Sequence, residues 1–231
     1  MFETRSLKLE RIDTGDYTPA EYERFLREIK FINRWTGDEK ALKNTLFREI
    51  EKSKLQNFRL LDVGAGSGEL LRATANFAGR KKVRAALYGL ELNEVSARAI
   101  LRESKNFAEI KSVRGDALQL PFADNSFDFV ISSLFTHHLK DRQIIEALRE
   151  MKRVALQKIF VIDLHRHPLA YLSYKAFCRV FRISRLVTED GSLSILRSFT
   201  TEELSDFAGQ AGLRNAVVER HFPFRLVLRE S

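Results

Sequence analysis

Leu60-Leu61-Asp62-Val63-Gly64-Ala65-Gly66-Ser67-Gly68 sets a carboxylate at the end of an apolar run and then three glycines on alternate positions. The apolar residues suit a buried strand of a parallel sheet, and the glycines let the backbone turn sharply into a helix. Helix N-termini present free N–H groups and a partial positive charge, so this turn is built to hold a polar ligand against bare backbone. A GxGxxG dinucleotide turn would carry its third glycine at position 69, which is Glu69. Either glycine spacing alone is weak evidence for one ligand. Two further carboxylates stand where strands should end. Glu91, in Tyr88-Gly89-Leu90-Glu91-Leu92-Asn93, would lie beside the turn and accept from both hydroxyls of a ribose. Asp116, in Arg114-Gly115-Asp116-Ala117, offers an acceptor for an adenine amino group.

Imidazole is the side chain able to take a proton near neutral pH. His165 and His167 follow Asp163 at the end of the fifth expected strand, where open α/β sheets place substrate. They are the candidate general bases, with helix capping and a solvated surface as the alternative. His137 is a third candidate, and His138 beside it reads as structural or cofactor-adjacent. The one cysteine, Cys178, excludes an intramolecular disulfide and a multi-cysteine zinc site, and reads as packing.

These residues need a frame, and from residue 58 strands and helices alternate. Strands are expected over Phe58–Val63, Ala86–Leu90, Ile110–Arg114, Phe127–Ser132 and Lys158–Leu164. Helices are expected over Glu69–Phe77, Asn93–Glu103 and Asp141–Val154. Such alternation means βαβ units and a parallel sheet covered on both faces. A capping box at Thr200-Thr201-Glu202-Glu203 starts another helix, and two strands near Ala216–Glu219 and Phe224–Arg229 form an antiparallel edge. Upstream, Thr18, Pro19 and Glu21 open a helix carrying Tyr22, Phe25, Leu26, Ile29 and Ile32. A second helix starts at Asp38, with Trp35 in the connection between them. Residues 165–199 break the alternation, are rich in aromatics and cations, and hold no carboxylate before Glu189. An insertion this long reads as a lid or binding element.

With Leu120-Pro121-Phe122, Phe127-Asp128 and His137-His138-Leu139 following in order, the chain resembles class I S-adenosylmethionine (SAM)-dependent methyltransferases. The resemblance is to the ubiquinone/menaquinone-type small-molecule group. It implies a doubly wound, mostly parallel seven-stranded sheet in one domain over residues 1–231, with an N-terminal helical cap (1–57) and a helical lid insert (165–199). It implies SAM as cofactor, with Gly64, Ala65, Gly66 and Gly68 passing the methionine moiety and Asp62 near its ammonium group. Glu91 and Leu92 would meet the ribose, Asp116 and Ala117 the adenine, while Ser132, Ser133 and His138 would line the way to the methyl group. The variable parts of such enzymes hold the acceptor, which makes Arg34, Trp35, Arg166, Tyr171 and Tyr174 the candidate acceptor contacts. One departure is the lack of a Pro-Gly-Gly-type turn before the fifth strand, where this chain reads Arg153-Val154-Ala155-Leu156-Gln157-Lys158.

Methyl transfer from a sulfonium is an in-line displacement that needs close approach, alignment and exclusion of water. No metal is required. The acceptor expected is an oxygen or carbon of a small aromatic, quinone-like or polyketide-like molecule. A net charge of +8, from 39 Lys+Arg against 31 Asp+Glu, keeps anionic partners in view, including RNA and a membrane surface. An RNA or protein methyltransferase is therefore the rival, though no Lys/Arg block of nucleic-acid-tail length occurs and the fourth strand ends Ser132-Ser133-Leu134-Phe135. A SAM-binding protein without turnover is the other alternative. The charged start of the chain and the absence of any long apolar run point to a cytoplasmic protein without a membrane span.

Overall fold

A computed structural model describes residues 2–230, the side chains of Pro19 and residues 34–36 excepted. Seven strands form one sheet: β1 (Asn57–Val63), β2 (Arg84–Glu91), β3 (Ile110–Arg114), β4 (Phe127–Ser133), β5 (Ala155–Leu164), β6 (Val217–His221) and β7 (Arg225–Glu230). Their order is β3-β2-β1-β4-β5-β7-β6; the first five are parallel, β7 runs antiparallel to them, and β6, antiparallel to β7, again runs in their direction. The sheet is thus the doubly wound, mostly parallel one expected. Strand β1 pairs with both β2 and β4, Asp62 lying opposite Gly89 on one side and Ile131 on the other. The strand order reverses at β1, and ligands of open α/β sheets bind at the carboxyl ends of strands around such a point.

Successive strand residues point to opposite faces. Leu61 and Val63 therefore join Val130, Ile159 and Val161 on one face, while Leu60 joins Phe129, Ile131 and Phe160 on the other. Helix α7 (Asp141–Val154) closes the first face with Ile144, Leu148 and Met151, a helical repeat that buries one side and exposes the rest. The second face is closed by α5 (Glu69–Lys81), α6 (Glu94–Glu103) and the N-terminal residues Leu42, Leu46 and Ile50.

Several boundaries differ from the sequence reading. Strand β5 begins at Ala155, three residues early, because α7 runs to Val154 and passes into the strand without a turn. Residues 33–36 are not a connection. Helix α2 (Pro19–Thr36) continues through them and stops at Gly37, whose φ of 88° ends one helix and starts the next. The second helix is broken into α3 (Asp38–Leu42), a wider π turn at Lys43–Phe47 and α4 (Arg48–Ser53). Arg225 of β7 holds this layer to the sheet through Asp38, at 2.5 and 3.2 Å, with both side chains buried.

The insert folds as α8 (Pro168–Val180) and α9 (Arg185–Arg197), followed by α10 (Thr201–Gln210). A short helix, α1 (Arg11–Thr14), precedes α2 and lies on α9, where the buried Asp190 accepts from the backbone N–H groups of Arg11 and Ile12, each at 3.0 Å. Helix α2 meets the insert as well. Glu28 accepts from the Ser184 backbone N–H at 2.9 Å, and Phe31 packs against Phe177 and Phe181. The N-terminal helices and the insert therefore brace each other.

Candidate cofactor and acceptor site

Val63 ends β1, and the chain then turns through Gly64, Gly66 and Gly68, all at positive φ, into α5. At Gly64 (φ 73°) a side chain is excluded twice, by the backbone conformation and by the Phe135 ring that fills the place of a Cβ. The turn is fixed to β2 by hydrogen bonds from the Gly64 and Ala65 N–H groups to the Leu90 carbonyl, at 3.0 and 3.3 Å. Gly66 N–H donates to the Glu91 carboxylate at 2.5 Å.

Asp62 lies beneath this turn, 2% exposed, and its Oδ1 has no hydrogen-bond partner among the described residues. Burial pushes the Asp62 carboxyl up to about 8, with the nearby Glu91 charge adding to the shift. Burial likewise raises Glu91 to about 7, against the opposing pull of the Gly66 and Leu92 N–H groups and His138. Two crowded carboxyls at this turn call for a ligand that brings positive charge and hydroxyls. The ammonium group and ribose of SAM meet both needs, so the residues fit the cofactor. Asp116 is exposed at the end of β3 and caps its own turn through the Leu118 N–H at 2.9 Å, next to the buried Ala117. Leu92 is 65% exposed at the same rim.

Ser132 and Ser133 separate. The buried Ser132 hydroxyl donates to the Val63 carbonyl at 2.8 Å, tying β4 to β1; Ser133 is half-buried at the strand end.

After β4, Phe135 packs on Gly64 and so brings the single 3-10 turn Thr136–His138 to the glycine loop. His137 is buried and its Nδ1 lies 2.6 Å from Asp163 Oδ1. Asp163, at the end of β5, also accepts from the Thr136 hydroxyl at 2.6 Å, the His137 backbone N–H at 3.1 Å and the Leu164 N–H at 2.8 Å. Burial alone would raise the Asp163 carboxyl, yet the His137 charge and these hydrogen bonds outweigh it and hold it at about 2. A carboxylate only accepts, so Nδ1 carries a proton and Nε2 is the nitrogen left for proton transfer. His138 faces the N-terminal segment, its Nδ1 2.9 Å from Asp13 Oδ1 and 3.9 Å from Glu10 Oε1. Burial pushes Glu10 up to about 7. Glu10, His137 and His138 each offer a ligand atom within 4.8 Å of the others, but the Arg197 guanidinium already stands 3.8 Å from Glu10 Oε1. Positive charge is thus supplied there without a metal ion.

The histidines expected as bases lie elsewhere. His165 donates its backbone N–H to Phe224 at 3.0 Å, and its ring is lowered by burial and by the charges of Arg220 and His167. His167 caps α8, its Nδ1 accepting from the Leu169 N–H at 3.1 Å, and stacks on Phe224. No described contact joins either ring to Asp62, Glu91 or the glycine turn. Arg166 corrects the sequence reading outright. Its side chain is 0% exposed and is consumed by the carbonyls of Phe2, Glu3 and Ser198 and by Glu203 at 2.5 Å, so it holds the N-terminal segment and α10 together. Tyr174 is also internal: its hydroxyl donates to the Val187 carbonyl at 2.7 Å and its ring occupies the space left by Gly191. Tyr171 is half-buried, edge-on to Phe2. The Arg34 and Trp35 side chains lie outside the described residues.

Helix α2 passes over the crevice. Asn33 donates to Glu69 at 3.4 Å, Lys30 pairs with Glu103 at 3.1 Å, and Tyr22, stacked on Tyr17, is raised by burial with Ser96 and Glu91 among its neighbours. The network of Glu10, Asp13, Asp163 and Arg197 escaped the sequence reading. Its members are far apart in the chain, and only the position of Asp163 at a strand end gave any signal.

Among solved structures, a SAM-dependent methyltransferase from Aquifex aeolicus superposes with a TM-score of 0.59 over 87% of this chain and 96% of that one, at 18% identity. PigF with SAH gives 0.58 over 80% of this chain and 53% of its own, also at 18% identity. The fold is that of the class I SAM-dependent methyltransferases. Residues 61–162 match the methyltransferase domain family. Among curated proteins, the demethylmenaquinone methyltransferase of Geobacillus kaustophilus is 30% identical over 139 residues, 58% of this chain and 53% of that protein. The Staphylococcus carnosus protein of the same name is 33% identical over 96 residues, 42% of this chain and 38% of its own. The matches thus span about half or less of these relatives.

Proposed function

We propose that the protein methylates an oxygen or carbon of a small aromatic, quinone-like acceptor, with Asp62, the glycine turn and Glu91 holding SAM and His137 taking the acceptor's proton. The observation that carries the reading is the buried Asp163–His137 pair at 2.6 Å beside the glycine turn. The name shared by the curated relatives, demethylmenaquinone methyltransferase, supports a quinone-type acceptor.

When bound, SAM supplies an electrophilic methyl group on a sulfonium that leaves as a neutral thioether. The chain's own residues do the rest. Asp163 fixes the His137 ring and its tautomer, leaving Nε2 to accept the proton from a hydroxyl or acidic carbon as that atom turns nucleophilic. The same carboxylate stabilises the imidazolium that forms. Helix α2, with Tyr17 and Tyr22, and the insert α8–α9 form a cap and lid that exclude water from the reacting groups.

The experiment is transfer of labelled methyl from SAM to a demethylated quinol, comparing wild type with His137→Asn and with His165→Ala/His167→Ala. The proposal expects roughly a 10²–10⁴-fold fall in kcat for His137→Asn with SAM affinity retained, the range typical of lost general-base catalysis. Normal turnover in His137→Asn, or a loss confined to the His165/His167 variant, rejects His137 as the base. No transfer to any quinol, with transfer to RNA instead, rejects the acceptor class.

A further inference from the structure

We propose that the outer face of α8 docks this protein on an anionic membrane surface, with Lys175, Arg179 and Arg182 forming the site for lipid phosphate. Leu169, Leu172 and Val180 are 59%, 60% and 74% exposed, and Ala176 is exposed between them. Their spacing of three, four and four residues draws one apolar stripe along the solvent side of the helix. The core side is supplied by other residues, Ala170 and Cys178, which are buried. Helix α8 therefore carries a second apolar face that the fold does not use.

Cations flank this stripe. A groove of about 480 Å³ between α8 and the start of α9 is lined by Lys175, Arg179, Arg182 and Thr188. Among the described residues none of these three cations forms an ion pair, whereas Arg185 beside them is paired with Glu189 at 2.7 Å. From His165 to Thr188 the chain contains no Asp or Glu. Apolar side chains in one stripe with unpaired cations alongside are the features that seat a helix in the headgroup layer of an anionic bilayer.

Charge and apolarity together select this occupant. An RNA strand would use the cations and leave Leu169, Leu172 and Val180 in water. A second copy packed stripe to stripe about a two-fold axis would set the same cations against each other. No helix among the described residues is long and apolar enough to cross a membrane, so the contact is with a surface. Helix α8 follows β5 at the carboxyl edge of the parallel strands, the edge that carries the glycine turn. Docking needs no particular acceptor, and methyl transfer needs no membrane, so either can fail without the other.

The test is co-sedimentation of the full chain with phosphatidylcholine vesicles, alone or mixed with about one-third phosphatidylglycerol. Wild type should bind the anionic vesicles at least ~10-fold more tightly than the neutral ones, and the binding should weaken with salt. Leu172→Glu/Val180→Glu and, separately, Lys175→Glu/Arg179→Glu/Arg182→Glu should each cut binding by about 10-fold or more, with circular dichroism and SAM affinity unchanged. Equal binding to both vesicle types, or undiminished binding by the folded variants, overturns the proposal. So does release by millimolar inorganic phosphate at constant ionic strength, which would assign the groove to a soluble anion. Capture by single-stranded RNA but not by vesicles, or a dimer that Leu172→Glu dissociates, would likewise reject a membrane partner.

Discussion

The His137 Nδ1–H points at the Asp163 carboxylate across 2.6 Å, and both side chains are shut off from solvent. One residue lies in the 3-10 turn after β4 and the other is the penultimate residue of β5, so the pair exists only because these strands are neighbours. An asparagine at position 163 keeps the shape but removes the charge that holds the tautomer. Asp163→Asn should lower kcat by ~10²-fold or more while leaving the dissociation constant for SAM within a few-fold of wild type. Single-turnover kinetics beside calorimetric SAM titration separate the two effects. A variant that loses SAM affinity and keeps its chemical rate would show that the pair serves the cofactor pocket instead.

Acid should loosen the same pair. Asp163 is held at about 2, below its ordinary value of 3.8, so the folded state favours the ionised form. The resulting stabilisation is complete above the unfolded value and disappears as the pH falls from about 4 toward 2. It amounts to about 2 kcal/mol. Chemical denaturation of wild type and Asp163→Asn at pH 7 and pH 3 should show the variant's deficit shrinking at the lower pH. A deficit independent of pH would place the stabilisation in packing.

Asp62 and Glu91 run in the opposite direction. Their carboxyls are raised to about 8 and about 7, so without cofactor the folded protein keeps protons that the unfolded chain releases above pH ~4. These two groups therefore make the free protein less stable as pH rises from about 4 to 8. A bound ammonium favours both carboxylates, and SAM should bind with net proton release near pH 7 and more tightly at pH 8 than at pH 6. Titration calorimetry in buffers of different ionisation enthalpy reads the protons directly. Asp62→Asn should abolish most of the release; identical release from wild type and the variant would assign the protons to other groups.

The glycine turn and its neighbouring carboxylates are legible in the chain because each part is local. The turn at Gly64, Gly66 and Gly68 and the carboxylates Glu91 and Asp116 each sit at the end of their own strand, so spacing and strand order suffice to bring them together. The surroundings of Arg166 and His137 depend on contacts between distant segments. Nothing near Arg166 in the chain announces that Phe2, Glu3 and Glu203 will consume its guanidinium, and nothing near His137 announces Asp163. Boundary errors have local causes of another kind. The usual turn before β5 is missing, so α7 ends and the strand starts on consecutive residues, which no breaker residue marks.

Asp190 is one of several buried side chains that hold the N-terminal segment at the site, with Arg166 and Arg197. Asp190 of α9 accepts from the Arg11 and Ile12 N–H groups, and the segment so held presents Glu10 and Asp13 to His138 and Arg197. Asp190→Ala leaves two backbone donors without that partner in a mostly buried setting, at a cost of about 1–3 kcal/mol. In a chain of this size that lowers Tm by roughly 2–4 °C for each kcal/mol. Loss of amide-exchange protection should be concentrated at residues 10–14, with β1 and β4 unaffected. His138 would then lose the ordered Asp13 partner beside the glycine turn, and SAM affinity should fall by several-fold. Full protection of residues 10–14 in Asp190→Ala would show that α1 is held on the insert by Arg197 and Asp13 alone, independently of Asp190.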